Sequence, residues 1–465
     1  MVAAQILVAL GEVASAQEAL HKLLAADATG TGSRSAAAVL AARIAAHQGD
    51  PHEALELLSK SATQAALALK GVLLVQVGRY HDAIRVLREA LREVPDAPDA
   101  LGALGYAYAA VGSVGKASRA MTAAAVLDPA DRSAGLNLAA SLISQGRASD
   151  AVAAVDRLIG YHPNDIGLER FAAAAMHADG DTAGALRRLR RAKMSRAARN
   201  ASAARREELG LDILLLDIPP LARSEVFAAA AAALQRCDHR SETIARTLVA
   251  TAPTTKDLST LETAYGELRQ HHDTAALLFL ESKVAFLRLE FDRCTEAAVE
   301  WAHREPFSVE AHITATYMLS LHAGDYRQAA QLGRAGLRRG IHNDTLRNNV
   351  AFALAMNAKP DEAARFLPDP SEYEPALATA GLIEAVRGNL DRGIAMYEDC
   401  ARRLRDKGHH DLADLVGLHR VLAEITAGQT IPEDRLTGFG DSAAVTDPDR
   451  AIVWGAIARE RSRQP

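Results

Sequence analysis

The chain has 465 residues, a formal net charge of −5, 49% apolar residues and only 4% aromatic ones, so its interior must be built mainly from Ala, Leu and Val at close helix contacts, which favours helices over sheets. Cys237, Cys294 and Cys400 are too scattered for a zinc site or a disulfide framework, which points to a reducing compartment and a cytoplasmic protein. No apolar run reaches the ~18 residues of a membrane span, and no basic segment followed by an apolar core opens the chain.

In chain order, the first signal is a repeat. Gly78, Gly112, Gly146 and Gly180 recur every 34 residues, Ala83, Ala117, Ala151 and Ala185 keep that step, and so do Pro95, Pro129 and Pro163. Each unit reads as an antiparallel helix pair. In Pro98 to Asp131, a helix carrying Leu101, Leu104, Gly105 and Tyr108 ends at Gly112, which suits the left-handed conformation that terminates helices. A second helix follows, with Ala117, Met121 and Ala124 on one face and alanines small enough for close approach. Asp128-Pro129 stops it. Set in the same register, Gly11 leaves only ten residues for a helix that elsewhere uses fourteen, so the chain is expected to begin inside its first helix, or with something missing ahead of it.

These residues resemble the tetratricopeptide repeat, whose pattern has a small residue, a Gly and a Tyr in the first helix, two small residues in the second and a closing Pro. The match is clearest over residues 64–199. Weaker copies lie at Gly49 with Ala54 and Leu58, at Phe291 with Ala298, Trp301 and Pro306, and at Gly324-Asp325-Tyr326 with Ala329; degenerate units centre on Ala363 and on Gly388 with Tyr397. The pattern departs from the family where the spacing falls to 29 residues between Gly49 and Gly78 and where the last units lose the proline. The resemblance implies an all-α, right-handed superhelical solenoid of antiparallel helix pairs. Its expected organisation is a first array over 1–210, a divergent helical connector over 211–272, a degenerate second array over 273–428, and a loop with a capping helix over 429–465.

In the connector, Ile218-Pro219-Pro220 must interrupt any helix, with helices expected at Leu221 to Gln235 and Lys256 to Gln270. Thr430 to Val445 reads as a loop. Asp447-Pro448 then supplies an N-cap and a proline at the first helical position, opening a short helix through Trp454 and Ile457 that covers the end of the array.

No chemistry emerges from the motifs. The chain contains no GxxxxGK[ST], no GxGxxG after a strand, no HExxH and no GxSxG. His271-His272-Asp273 and His409-His410-Asp411 place adjacent histidines on different sides of a helix, and Cys237-Asp238-His239 cannot easily adopt the geometry of a nucleophile and its base. No enzyme, metal or cofactor is expected.

Two surfaces remain as candidates. Arg187, Arg188, Arg190, Arg191, Lys193, Arg196, Arg199, Arg205 and Arg206 form a run without an acid, and without these nine, 44 basic residues face 58 acidic ones. The run is either a solvated helix face or a contact for an acidic protein segment; nucleic acid suits it less, because the acidic remainder repels a long polyanion and no aromatic stacking platform is interleaved. The other surface follows from the resemblance, which implies that first helices line a concave groove. In the first array this assigns Val72, Val75, Tyr106, Leu136, Ile143 and His177, and in the second Phe279, Lys283, Met318, Asn348 and Phe352. The Lys and Asn set with which some family members clamp a peptide carboxylate falls here on Ala68, Val72, Gly102 and Tyr106, so an amphipathic helix or apolar peptide suits the groove better. Asn348 and Asn349 are placed to hydrogen-bond an extended backbone. The expectation is a protein-binding scaffold, with a regulatory subunit whose basic helix (187–206) meets nucleic acid or another polyanion as the alternative.

Overall fold

A computed structural model describes residues 13–25, 31–48, 50–217, 223–252, 257–272, 277–432, 436 and 446–463. Ile218-Pro219-Pro220, Gly11, Gly49 and most of the expected loop before Asp447 lie outside them. Among the described residues all regular structure is helical, and no helix is long and apolar enough to cross a membrane. The chain forms two compact units, Met1–Ala192 and Lys193–Pro465.

The first unit runs through α1 (Val13–Ala25), α2 (Thr31–His47), α3 (Pro51–Leu57), α4 (Gln64–Gln76), α5 (Tyr80–Glu93), α6 (Pro98–Ala110), α7 (Val114–Leu127), α8 (Arg132–Ser144), α9 (Ala148–Tyr161), α10 (Ile166–Ala178) and α11 (Thr182–Met194), whose last turn passes the division. Successive helices pack in antiparallel pairs. The glycine period has a backbone cause. Gly78, Gly112, Gly146 and Gly180 have φ of +75°, +79°, +71° and +91°, and after each the next N–H reaches back five residues to a carbonyl of the finished helix, as Ser113 N does to Tyr108 O at 2.8 Å. The small residues have a packing cause: a Cβ on Gly105 would lie 2.6 Å from the Met121 side chain, and Ala117 is fully buried in the same pair.

The second unit comprises α12 (Arg196–Asn200), α13 (Ala203–Asp217), α14 (Arg223–Arg236), α15 (Glu242–Thr251), α16 (Leu258–Leu268), α17 (Leu278–Leu287), α18 (Phe291–Arg304), α19 (Val309–Met318), α20 (Tyr326–Arg338), α21 (Asp344–Met356), α22 (Pro360–Ala364), α23 (Glu374–Val386), α24 (Leu390–Asp406), α25 (His410–Thr426) and α26 (Pro448–Arg463). A continuous core runs from Leu211 to Ile457. The five-residue closing bond recurs here after Gly388, Gly408 and Gly428, and also after residues other than glycine. Leu289 (φ +62°) precedes the bond from Glu290 N to Ala285 O, and Ala358 (φ +54°) the bond from Lys359 N to Leu354 O, both 2.9 Å.

One repeat is a residue longer, since Gly324 follows Leu289 by 35 positions. A π-helical turn over Leu319–Ala323 absorbs the insertion, and the closing bond runs six residues, from Asp325 N to Leu319 O at 2.9 Å. The C-terminal helix answers the carbonyls this turn leaves open. Arg459 donates from Nη1 to His322 O at 2.5 Å and from Nη2 to Leu321 O at 3.1 Å, while Tyr317 OH donates to Asp449 at 2.9 Å and Tyr326 OH to Glu460 at 2.8 Å. Thus α26 packs on the π turn as well as on α25.

Candidate functional site

In the first unit a groove of about 680 Å3 opens between α2, α4, α6 and the first two turns of α8. Ala68, Val72 and Val75 form its α4 wall, at helical spacings that share one face, and Gly102 and Tyr106 face them from α6. The Tyr106 ring lies 6.4 Å from that of Tyr80 at a 46° tilt, whereas Tyr108 packs with the buried cluster of Leu104 and Val86. Gly102 leaves the floor open, because a Cβ there meets nothing closer than Ala124 at 4.0 Å.

The groove is more polar than its assigned residues imply. Arg43, Gln64, Gln76, Asp99 and Asn137 border it, and none of these side chains has a partner among the described residues. Two were within reach of the register: Gln76 follows Val72 by one helical turn, and Asn137 follows the lining residue Ala103 by 34 positions. Three residues assigned to this surface are not brought into the cavity. Leu136 and Ile143 are half-buried elsewhere on α8, Ile143 about 9 Å further along the axis than Asn137, and the His177 ring is bonded at 2.8 Å to the Thr182 hydroxyl.

In the second unit two of the five assigned residues are core. Phe279 is 2% exposed, its ring 6.1 Å from that of Trp301 and covered by the Arg246 guanidinium at 4.4 Å; Met318 is wholly buried at the entrance to the π turn. A helix turns about 100° per residue, so a small error in register moves a side chain from the groove face to the interhelical seam. Lys283 is half-buried; burial lowers its pKa and Asp449, in the chain's own C-terminal helix, opposes that shift. Asn348 and Phe352, one turn apart on α21, line a cavity of about 450 Å3 with Thr379, Tyr397, Leu415 and His419. The Phe352 and His419 rings meet edge to face at 6.0 Å, and burial pulls the imidazole down to a pKa of about 4. Asn349 also lines the cavity, but its amide is engaged, donating to Ile313 O at 3.3 Å and to the Thr316 hydroxyl at 3.2 Å.

The basic run is already partly used. Arg188 bonds both Asp156 and Glu169 at 2.6 Å, with partners that hold its proton more firmly against the opposing effect of burial. Arg199 and Arg206 bond the carbonyls of Met194 and Ala201, Arg205 pairs with Glu208 at 2.9 Å, Lys193 acts electrostatically on Glu207, and Arg190 also has an interaction. Arg187, Arg191 and Arg196 are exposed without a partner among the described residues.

A family model described as tetratricopeptide repeat matches residues 1–68 and 69–132. Among solved structures, a tetratricopeptide repeat protein from Parabacteroides merdae ATCC 43184 is 19% identical, with a TM-score of 0.42 over 54% of this chain and 96% of that one. MamA AMB-1 is similar at 21% identity, 34% and 97% coverage and a TM-score of 0.30, and the MamA RS-1 ArsTM double mutant at 17% identity, 37% and 100% coverage and a TM-score of 0.33. No curated protein matches the sequence.

Proposed function

Because the chain carries tetratricopeptide repeats, we propose that it is a non-enzymatic scaffold whose first-unit groove binds a segment of a protein partner, an apolar peptide or the apolar face of a helix. The observation that supports this most is the groove itself, where Val72, Val75 and Tyr106 offer apolar contact beside the unpartnered Gln76 and Asn137. Tyr106 is its anchor, since a ring with few rotatable bonds buries much area at little entropic cost. The ligand orders against residues of 1–210; 211–272 is the connector, 273–428 a second array and 429–465 its cap. Three free, buried cysteines suit a cytoplasmic setting.

The test is quantitative pull-down from the native cell with wild-type protein, Tyr106→Ala and Tyr161→Ala, the last an exposed ring outside the groove. Recovery of a partner should fall with Tyr106→Ala alone. Equal recovery of every partner by Tyr106→Ala would sink the groove reading. Arg187 and Arg191, one turn apart and unpaired, support a lesser contact with an acidic segment of that partner. Were the ligand nucleic acid instead, its affinity would fall steeply with salt.

A further inference from the structure

We propose that the second-unit cavity is a binding site for a compact, uncharged small molecule that presents an amide-like edge, one donor beside one acceptor, on an apolar body. This reading does not depend on the first-unit groove.

Three observations on the cavity carry it. The first is unspent hydrogen bonding. Asn348 Oδ1 is buried without a partner, the rest of that side chain has none, and neither His419 nor the Tyr397 hydroxyl makes a hydrogen bond among the described residues. A buried amide oxygen left unpaired is costly, and a ligand carrying the complementary donor beside an acceptor relieves that cost. The Ser320 hydroxyl on the lining is also buried without a partner, whereas Tyr373 OH donates to Thr345 at 3.1 Å and Asn349 is bound to α19.

The second is neutrality. No Lys or Arg lines the cavity, its carboxylate, Glu374, is paired with Lys407, and the His419 imidazole is held uncharged by burial. A charged ligand would meet no counterpart there apart from the exposed His409 on the border. The third is enclosure. The cavity shares Tyr317, Ser320 and Leu321 with the surface on which α26 is docked, through Tyr317 to Asp449 and Arg459 to the Leu321 carbonyl. The chain's own helix therefore occupies the adjoining surface and leaves a pocket of small-molecule size, walled by Phe352, Leu415 and Val416, in place of an open channel for a second helix.

The probe is benzamide, with benzoate as its charged isostere and toluene as the isostere lacking the polar edge, titrated into the full chain by ligand-observed NMR. Benzamide should bind at least tenfold more tightly than benzoate. Asn348→Leu should weaken benzamide at least tenfold while leaving toluene and the melting temperature unchanged, and Asn348→Ala carries the same comparison if the leucine variant does not fold. Tyr106→Ala, in the other unit, should leave benzamide affinity intact. The proposal is overturned if benzamide does not bind, if benzoate binds equally, or if both Asn348 variants retain wild-type affinity; failure of the first-unit groove would appear only with Tyr106→Ala and a protein partner.

Discussion

The two units end their helices with the same backbone device, but among the described residues only the second accepts residues other than glycine, at Leu289 and Ala358. In the first, glycine occupies the left-handed position at Gly78, Gly112, Gly146 and Gly180; in the second, Gly388, Gly408 and Gly428 hold it, but so do Leu289 and Ala358, at φ +62° and +54°. The hydrogen bond that closes the helix is as short in both, 2.8 Å after Gly112 and 2.9 Å after Leu289 and Ala358. What the repeat preserves is the closing bond and the turn it demands, and glycine is only its least strained occupant. Residue identity therefore announces the first unit and conceals part of the second.

The comparison can be broken hardest at the helix seams. Gly381→Ala would place a Cβ 2.8 Å from the Gly393 carbonyl, a backbone atom that cannot swing away, and is expected to cost about 2–3 kcal/mol by chemical denaturation. Ala117→Leu, in the first unit, should cost ~1–3 kcal/mol for the same reason of overpacking. Tolerance of both would place these residues outside tight contacts and remove the packing account of the small-residue pattern.

Titration of His419 gives the next effect. Its folded pKa of about 4 lies below the ~6.5 of an unfolded histidine, so the unfolded chain binds more protons between those values. Stability from this site is complete above about pH 6.5 and is lost as pH falls toward 4, on the order of 3 kcal/mol. His419→Leu should flatten that part of the melting profile. An unchanged slope would mean that His419 is not held neutral by its surroundings.

The smallest effects sharpen the comparison directly. Gly112→Ala should destabilise by about 1 kcal/mol, because a Cβ at φ +79° is strained although nothing stands within 4 Å of related Gly78 and Gly146 sites. Leu289→Gly should do the opposite and stabilise by roughly 0.5–1 kcal/mol, since it relieves the same strain at an exposed side chain. If Leu289→Gly destabilises instead, the leucine contributes packing that outweighs its backbone strain.

The fold was legible because its strongest constraints act on single residue types: glycine at the turn, small residues at the seam, proline after the second helix. The 34-residue step through Gly180 needed nothing more. The π turn was not legible, since a single inserted residue leaves no signature beyond a spacing of 35 measured from Leu289, which does not look like a turn residue. The groove assignments divided because phase along a helix is not the whole of position. A glycine turn fixes the phase of its helix but not which part of the array a cavity spans, so Val72, Val75 and Tyr106 line it while Leu136, Ile143 and His177, in helices followed by the same glycine turn, do not; Phe279 and Met318 are buried. The unpartnered Asn137 and Arg43 were missed because polarity on a solvent-facing turn is the ordinary condition of a helix, and only coordinates reveal which polar side chains face a cavity.

The most direct test of the proposed scaffold compares two tyrosines two residues apart. Tyr106 lines the groove and Tyr108 packs against the core of the same helix pair. Thermal melting of Tyr106→Ala and Tyr108→Ala, with titration of the partner recovered by pull-down, separates binding from folding. The expected result is a loss of about 2 kcal/mol or more in partner affinity for Tyr106→Ala, with a melting temperature above that of Tyr108→Ala. A Tyr106→Ala protein that melts as low as Tyr108→Ala, or that binds its partner as tightly as the wild type, would contradict it.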